Sequence, residues 1–382
     1  MRIVHVCLCG PYTDGFAYQE NELVTQHVAQ GHQVIVLATT ETYGADRKPM
    51  RVSPAETKTA DGARLIRLPY RRWAPRALMA KLRTFPGVAQ QLERLAPDAI
   101  LFHGLCAWEM LTVARYAKRH PELLLYADCH EDFNNSARTF LSRWGLHFCF
   151  YRPIVRRCLS RIRSILCVSL ESITFARQMY GIPAAQLEFY PLGGMVYDDA
   201  EYAATRIEQR VAHGWNEHSI VFMQTGKIDQ AKRLTDSLKA FVNLPGEHLR
   251  FVIAGQIMPD VLAEVAPLID GDPRIENLGW ITATQLRSLL CAGDVYVQPG
   301  SQSATMQMSL CCRCVVVLDA VPSHRVFVDD NGVLVANKAE LAQALTRLAL
   351  ASRQELDRMS KRSATIAAKL LDYRQLAQRV LV

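Results

Sequence analysis

The sequence predicts an α/β protein built from two doubly wound, Rossmann-like domains, and three observations predict it. Short apolar runs of four to seven residues alternate with amphipathic segments of ten or more, the pattern of β-α-β units around a parallel sheet. The alternation stops once, near Pro191, Gly193 and Gly194, and restarts at Ile220. Length agrees, because 382 residues at about 150 per domain make two domains.

In the first half the apolar runs place strands at Ile3–Leu8, Val34–Ala38, Leu65–Leu68, Ala99–Phe102, Leu123–Ala127 and Ile165–Val168. Amphipathic stretches place helices at Glu20–Gln30, Gly87–Leu95, Trp108–Lys118, Ser172–Tyr180 and a long basic one within Leu141–Arg161. The second half repeats the scheme with strands at Ile220–Met223, Phe251–Ala254, Ile275–Leu278, Val295–Val297, Val315–Leu318 and Val333–Val335, and helices from Ala339 onward. We expect a first domain over 1–195, a linker over 196–218, a second domain over 219–365, and a helix over 366–382 that packs back on the first domain. Ligands of such sheets sit outside the carboxyl ends of the strands, so two of them suggest a cleft between facing strand ends.

Composition excludes several classes. With 49% hydrophobic and 21% charged residues, the chain is neither disordered nor fibrous. It has no apolar run of the roughly 18 residues that a membrane span needs, and its N-terminus reads as a short strand without a signal-peptide core. The 11 Cys have irregular spacings and read as reduced thiols used as small hydrophobes. The expectation is a cytoplasmic protein, soluble or peripheral on the inner face of a membrane.

The net charge of +7 is unevenly spread: residues 1–200 hold 24 basic and 18 acidic residues. Much of the excess lies in two acid-free windows, 64–83 and 138–163, each with seven cations. Tyr70, Trp73, Leu78 and Phe85 interleave with the first, and Trp144, Phe148, Phe150 and Tyr151 with the second. Cations mixed with aromatic rings suit an anionic lipid surface, and a solvated helix face is the plain alternative. No nucleic-acid motif accompanies the charge, so no nucleic-acid partner is expected.

Gly226-Lys227 follows the first strand of the second domain, and Lys232-Arg233 opens the next helix. A glycine permits close backbone approach, a helix start offers free N–H groups, and two cations suit a diphosphate. Solvated lysines would look similar, yet cations at a helix N-terminus oppose its dipole unless an anion is present. Further on, Ser301 to Gln307 crosses from a strand into a helix and supplies hydroxyls and N–H donors, which capping alone would also explain. Cys311-Cys312-Arg313-Cys314 lacks a second pair at zinc spacing, and Asp329-Asp330 precedes a turn, so no metal site is expected.

Taken in order, Gly226-Lys227, Lys232-Arg233, Leu278-Gly279-Trp280-Ile281, Ala292-Gly293-Asp294-Val295-Tyr296-Val297-Gln298-Pro299 and Asn331-Gly332 resemble the C-terminal domain of glycosyltransferase family 4. The first half agrees through Gly15 to Asn21, Gly31-His32-Gln33-Val34, Phe102-His103-Gly104 and Asp128 to Ser136. The resemblance implies a GT-B fold and a retaining transfer from a nucleotide-diphosphate sugar, used as co-substrate without metal or other cofactor. It implies that Lys227 and Lys232 hold the diphosphate, that Trp280 and Ile281 lie near the base, and that Gly15 and Gly226 approach the donor. Ser303 and Thr305 belong with the donor contacts, and Tyr18, Asp132 and Asn134 with the acceptor. His103 matches the position treated as catalytic or sugar-orienting, with His130 as second candidate.

The sequence departs from the family where two glutamates eight residues apart are usual: Gln307 stands for the second, and eight residues before it is Pro299. An amide can still bond ribose hydroxyls but offers no carboxylate. The expectation is therefore a retaining hexosyltransferase acting on a glycan or lipid-linked acceptor in surface polysaccharide or glycolipid synthesis. The alternative is a catalytically weakened GT-B scaffold that binds sugar nucleotide or glycan without transfer.

Overall fold

Parallel strands buried on both faces read as continuous apolar runs, and in the computed structural model those runs build two sheets. The structure describes residues 1–44, 48–300 and 303–381. By packing, the chain forms two units, Met1–Pro191 with Tyr373–Val382, and Leu192–Asp372.

The first unit contains strands β1 (Arg2–Cys7), β2 (Gln33–Thr39), β3 (Glu41–Tyr43), β4 (Pro49–Arg51), β5 (Glu56–Lys58), β6 (Arg64–Leu68), β7 (Ala99–Phe102), β8 (Leu124–Cys129), β9 (Ser164–Cys167) and β10 (Leu187–Phe189). Eight of them form one sheet in the order β10-β9-β8-β7-β1-β2-β6-β5, with β3 and β4 as a separate pair. Every pairing is parallel except β5 with β6 and β3 with β4. The central β1 is buried along Ile3–Cys7, and its apolar neighbours on both sides are Val34, Val36, Ile100 and Phe102.

The second unit carries β11 (Ile220–Ile228), β12 (Leu249–Ile257), β13 (Ile275–Gly279), β14 (Val295–Gln298), β15 (Val315–Asp319) and β16 (Gly332–Val335). All are parallel, in the order β13-β12-β11-β14-β15-β16. The expected strands and most helices are present in both units. The short strands β3, β4, β5 and β10 were not expected, because three residues are too few to show a period.

Two segments differ from the sequence reading, and a third, at the end of the chain, packs back on the first unit as expected and differs only in its bounds. Residues 196–218, expected as a linker, hold the helix Asp199–Ala212, which belongs to the second unit. Buried Asp294 at the start of β14 explains this: its carboxylate accepts from Arg206 at 2.5 Å, Arg210 at 3.3 Å and Arg353 at 2.6 Å, and from the Val221 N–H at 2.8 Å. Asp294 thus pins that helix, and the start of the helix Arg353–Leu370, to the sheet.

The basic stretch in 141–161 winds with wider π turns over Leu141–Tyr151 before tightening into the helix Arg152–Cys158. The final segment is the helix Tyr373–Arg379, which lies on the first unit against the helix Gln19–Ala29. Tyr190 donates its hydroxyl to the Leu376 carbonyl at 2.6 Å, and Gln30 donates to the Arg374 carbonyl at 3.1 Å.

The basic windows divide into core and surface. Phe85 and Tyr151 are buried core residues and Tyr70 and Phe150 are half-buried, whereas Trp73, Leu78, Trp144 and Phe148 are exposed. Several of the cations are already engaged: Arg64 pairs with Glu56, Arg76 with Glu41, and Arg67 donates to the carbonyls of Thr39 and Tyr12. Among the described residues, no helix is long and apolar enough to cross a membrane.

Candidate active site

Each sheet reverses its winding beside its first strand. In the first unit the chain leaves β1 through β2 toward β6, then restarts at β7 on the other side of β1; in the second, β12 and β13 lie on one side of β11 and β14 on the other. Such switch points leave a crevice at the carboxyl ends of the strands, where doubly wound sheets bind ligands. Sequence-predicted residues fall at both.

At the first, Asp128 near the end of β8 is the organising group. Its Oδ2 lies 2.6 Å from His103 Nδ1, and its Oδ1 accepts the Gly104 N–H at 2.6 Å and lies 3.5 Å from His130 Nε2. The turn after β7 requires glycine: Gly104 has φ +94°, and a Cβ there would stand 2.8 Å from the Cys9 side chain. Burial opposes ionisation of Asp128, but His103 and His130 outweigh it and hold the carboxyl well below the usual range.

His130 keeps 41% of its side chain exposed. Burial disfavours its charge, yet the Asp128 carboxylate dominates and raises its pKa to about 9, so the ring is cationic at neutral pH. A tight turn holds it: Asp132 Oδ1 accepts the N–H groups of Asn134 and Asn135 at 2.7 and 2.8 Å, and Asn135 donates to the His130 carbonyl at 2.9 Å. Both imidazoles line a cavity of ≈ 210 Å³ with Glu20, Glu131 and Arg83. Gly15, Tyr18, Asp132 and Asn134 lie outside that lining. Asp132 builds the turn, while Gly15, Tyr18 and Asn134 are exposed.

His103 differs from His130 in having both ring nitrogens engaged. Its Nε2 lies 3.0 Å from His5 Nδ1, and His5 Nε2 lies 2.9 Å from His27 Nδ1. His5 and His27 were missed in the sequence, although a histidine inside the otherwise apolar β1 is a signal, because such a strand is covered on both faces. Glu20, Arg83, Asp128 and Glu131 were missed as well, since only the fold brings them together.

At the second switch point, Gly226 and Lys227 lie inside β11, which runs on to Ile228, rather than after it. Lys232 ends the short turn Gln230–Lys232, and Arg233 takes a left-handed conformation, φ 56°, before the helix Leu234–Phe241 begins. Lys232 is buried at 5% exposure, and burial lowers its pKa to about 8, partly countered by Asp229. Lys227 is exposed. Arg233 is spent on structure, bonding Asp236 at 3.0 Å and the Pro299 carbonyl at 2.8 Å.

The turn after β14 closes onto this loop. A Cβ on Gly300 would stand 1.9 Å from the Ala231 carbonyl oxygen, so only glycine fits. Ser303 caps the helix Ala304–Cys311 through the Thr305 N–H, and the Ser303 and Thr305 hydroxyls, 2.7 Å apart, both reach the neighbourhood of Gly226. Tyr296 joins them by a 2.7 Å bond to Thr305. Gln307 on that helix is buried, and its Oε1 has no hydrogen-bond partner among the described residues. Ser301 and Gln302 lie outside the described residues. The structure thus brings Gly226, Ser303 and Thr305 together, and sets the Lys232 backbone against Gly300. Trp280 and Ile281 follow β13 at the sheet edge, with β12 between them and β11. Among the described residues, no group of three or more His, Cys, Asp or Glu side chains could hold a metal ion.

Residues 15–193 match the glycosyl transferase 4-like domain, and residues 205–365 match the glycosyl transferases group 1 domain. No curated protein sequence matches the chain. Among solved structures, it is similar to sucrose-phosphate synthase from Thermosynechococcus elongatus, with 15% identity, 99% of this chain and 97% of that one covered, and a TM-score of 0.68. It is similar to HepE from Anabaena, solved in complex with UDP, with 14% identity, 100% and 98% covered, and a TM-score of 0.69. WaaG, a glycosyltransferase involved in lipopolysaccharide biosynthesis, gives 15% identity, 99% and 98% covered, and 0.65. With two consecutive family domains on this fold, the chain belongs to the family 4 type of GT-B glycosyltransferases.

Proposed function

We propose that the protein is a retaining hexosyltransferase that takes its sugar from a nucleotide-diphosphate donor and passes it to a glycan or lipid-linked acceptor of a surface polysaccharide or glycolipid. The observation that carries this reading is Lys232, a cation buried at a switch point beside the Gly226, Ser303 and Thr305 cluster. A lysine at that position suits a doubly charged diphosphate, which it meets as a point charge. The Gln307 amide oxygen adds a buried acceptor for a ribose hydroxyl. Solved neighbours with bound UDP and UDP-glucose on the same fold support a nucleotide sugar as the ligand.

In the proposed reaction the bond from the anomeric carbon to the diphosphate oxygen breaks, and negative charge builds on the leaving group. Lys232, Lys227 and the N–H groups at the start of the helix Ala304–Cys311 are suited to stabilise that charge, and no metal or other cofactor enters the reading. The acceptor hydroxyl attacks from the face the diphosphate leaves, and its proton passes to the departing phosphate oxygen. In the first unit's cavity the cationic His130 donates to a sugar hydroxyl, while His103 stands behind it on Asp128. The exposed Trp73, Trp144 and Phe148 among arginines support a cytoplasmic enzyme peripheral on an anionic membrane face.

A thermal-shift screen of nucleotide sugars, followed by transfer assays with anomeric analysis of the product, tests this. One nucleotide sugar should raise the midpoint and yield product of unchanged anomeric configuration. Binding without transfer to any plausible acceptor would favour the scaffold reading, and no binding at all would sink both.

A further inference from the structure

Behind the first unit's cavity runs a file of three buried imidazoles. Asp128 Oδ2 lies 2.6 Å from His103 Nδ1, His103 Nε2 3.0 Å from His5 Nδ1, His5 Nε2 2.9 Å from His27 Nδ1, and His27 Nε2 2.9 Å from the carbonyl oxygen of Ala377. His5 and His27 are wholly buried, and His103 is 8% exposed. Water is therefore not a partner that could substitute along the file.

The protons can be counted. A carbonyl oxygen only accepts, so His27 Nε2 carries hydrogen, and a neutral His27 then offers its Nδ1 lone pair to His5 Nε2–H. A neutral His5 in turn offers its Nδ1 lone pair to His103 Nε2–H. At the other end an ionised Asp128 accepts from His103 Nδ1–H. Four contacts between two acceptors need four protons, and three neutral rings bring three. The fourth belongs on His103, the ring that touches the carboxylate.

We infer that His5, His27 and the Ala377 carbonyl act as positioning groups that hold His103 doubly protonated against Asp128, leaving His130 as the imidazole free to meet substrate. Burial of His5, reinforced by His27 and His103, and burial of His27, which brings its pKa to about 4, both disfavour the extra proton there. Asp128 is kept ionised by its other neighbours, the Gly104 N–H and His130. Among the described residues, other titratable groups near the file are Glu20, Glu131 and Arg83 at the cavity end, His32 beside His27, and Tyr190, which burial keeps neutral. The thiols of Cys7 and Cys9 border the cavity as well, and burial pushes both up, Cys9 to about 12, so they stay neutral.

The last helix, far along the chain, thus completes a bond series that ends at the cavity. The proton count is independent of the activity, whereas its effect on turnover rests on the reading of this cavity as part of the transfer site.

Nitrogen-15 NMR of histidine-labelled, full-length protein at about pH 8, above the ordinary histidine pKa of about 6.5, tests the count. Besides the imidazolium of His130, removed by His130→Gln, one further ring should show both nitrogens protonated, with couplings to neutral rings on one side. If His5, His27 and His103 are all neutral, the inference fails. In His27→Phe the series shortens to two contacts that two neutral rings satisfy, so the extra imidazolium should vanish and kcat should fall about tenfold with KM little changed. His27→Gln, whose amide accepts from His5 and donates to Ala377, should restore both. Should His27→Phe not fold, the wild-type spectrum and His27→Gln still decide. Normal turnover in folded His27→Phe would overturn the positioning role, and a confirmed proton count without transfer activity in wild type would fault the functional reading instead.

Discussion

Gln224 donates its side-chain amide to the carbonyl of Lys232 at 2.8 Å, so a buried residue of β11 fixes the backbone beneath the cation proposed to meet the donor diphosphate. The ammonium is therefore presented by a braced loop. Lys232→Ala should weaken nucleoside-diphosphate binding by about 10- to 100-fold, the equivalent of one charge-assisted contact of about 1.5–3 kcal/mol. Unchanged affinity by calorimetry would remove Lys232 from the site. Because its pKa is lowered to about 8, wild-type affinity should decline, with proton uptake on binding, as pH rises through that value. Lys232→Arg, charged throughout, should lose that dependence.

Gln307 presents a buried amide oxygen with no hydrogen-bond partner among the described residues. Replacing it with methionine, of similar shape, removes an unsatisfied polar group and should stabilise the free protein by about 1 kcal/mol. The same change should weaken nucleotide-sugar binding about fivefold or more while sparing inorganic pyrophosphate, which lacks ribose. A thermal melt and two titrations read this out, and a drop in both stability and pyrophosphate affinity would contradict the ribose assignment.

The His130 pKa of about 9 gives the pH profile a direction. A donor imidazolium is present below that value and lost above it, so kcat at saturating donor, where Lys232 is already paired with the diphosphate, should fall as pH rises through about 9. His130→Gln should lower turnover by about 10²-fold or more, in keeping with the loss of a positioned acid, and should abolish that basic limb. A variant with the wild-type profile would exclude His130 from contact with substrate.

Asp294 is buried among Arg206, Arg210 and Arg353. Asp294→Ala leaves three guanidinium groups without their shared carboxylate and should destabilise the second unit by about 3–5 kcal/mol, measured by denaturant unfolding. Burial works against the charge of Asp294, and the arginines overcome it and depress its pKa. A depressed carboxyl stabilises the fold above its unfolded pKa of about 3.9 and loses that contribution as pH falls through the folded value. The acid limb of the stability curve should therefore flatten in Asp294→Asn. An unchanged limb would show that other carboxyls govern it.

Arg71, Arg72, Arg156 and Arg157 are all exposed. Changing the four to Ala should reduce sedimentation with anionic vesicles at low salt several-fold, since each cation near a charged membrane contributes about 1 kcal/mol. Equal sedimentation would return both basic windows to a solvated role.

Much of the fold was legible in the sequence, because a parallel strand buried on both faces must be apolar along its whole length, as Ala99–Phe102 and Val295–Val297 are. The positions of Lys232, Ser303, Thr305 and His103 were legible for a related reason. They follow strands, and the ends of strands at a winding reversal are where a doubly wound sheet exposes backbone donors.

What the sequence alone could not determine depends on long-range partners. Asp199–Ala212 reads as a short polar helical piece within a linker, and it is tied to the second unit by Asp294, far along the chain, which collects Arg206 and Arg210. Likewise His5, His27, His103 and Ala377 carry no common spacing or period. They share a proton count only once β1, the helix Gln19–Ala29, the turn after β7 and the last helix are packed. Local apolar patterning decided the elements of this protein. The protonation and reach of its site groups were decided by tertiary packing, because burial and hydrogen-bond partners set both, and neither exists before the chain folds.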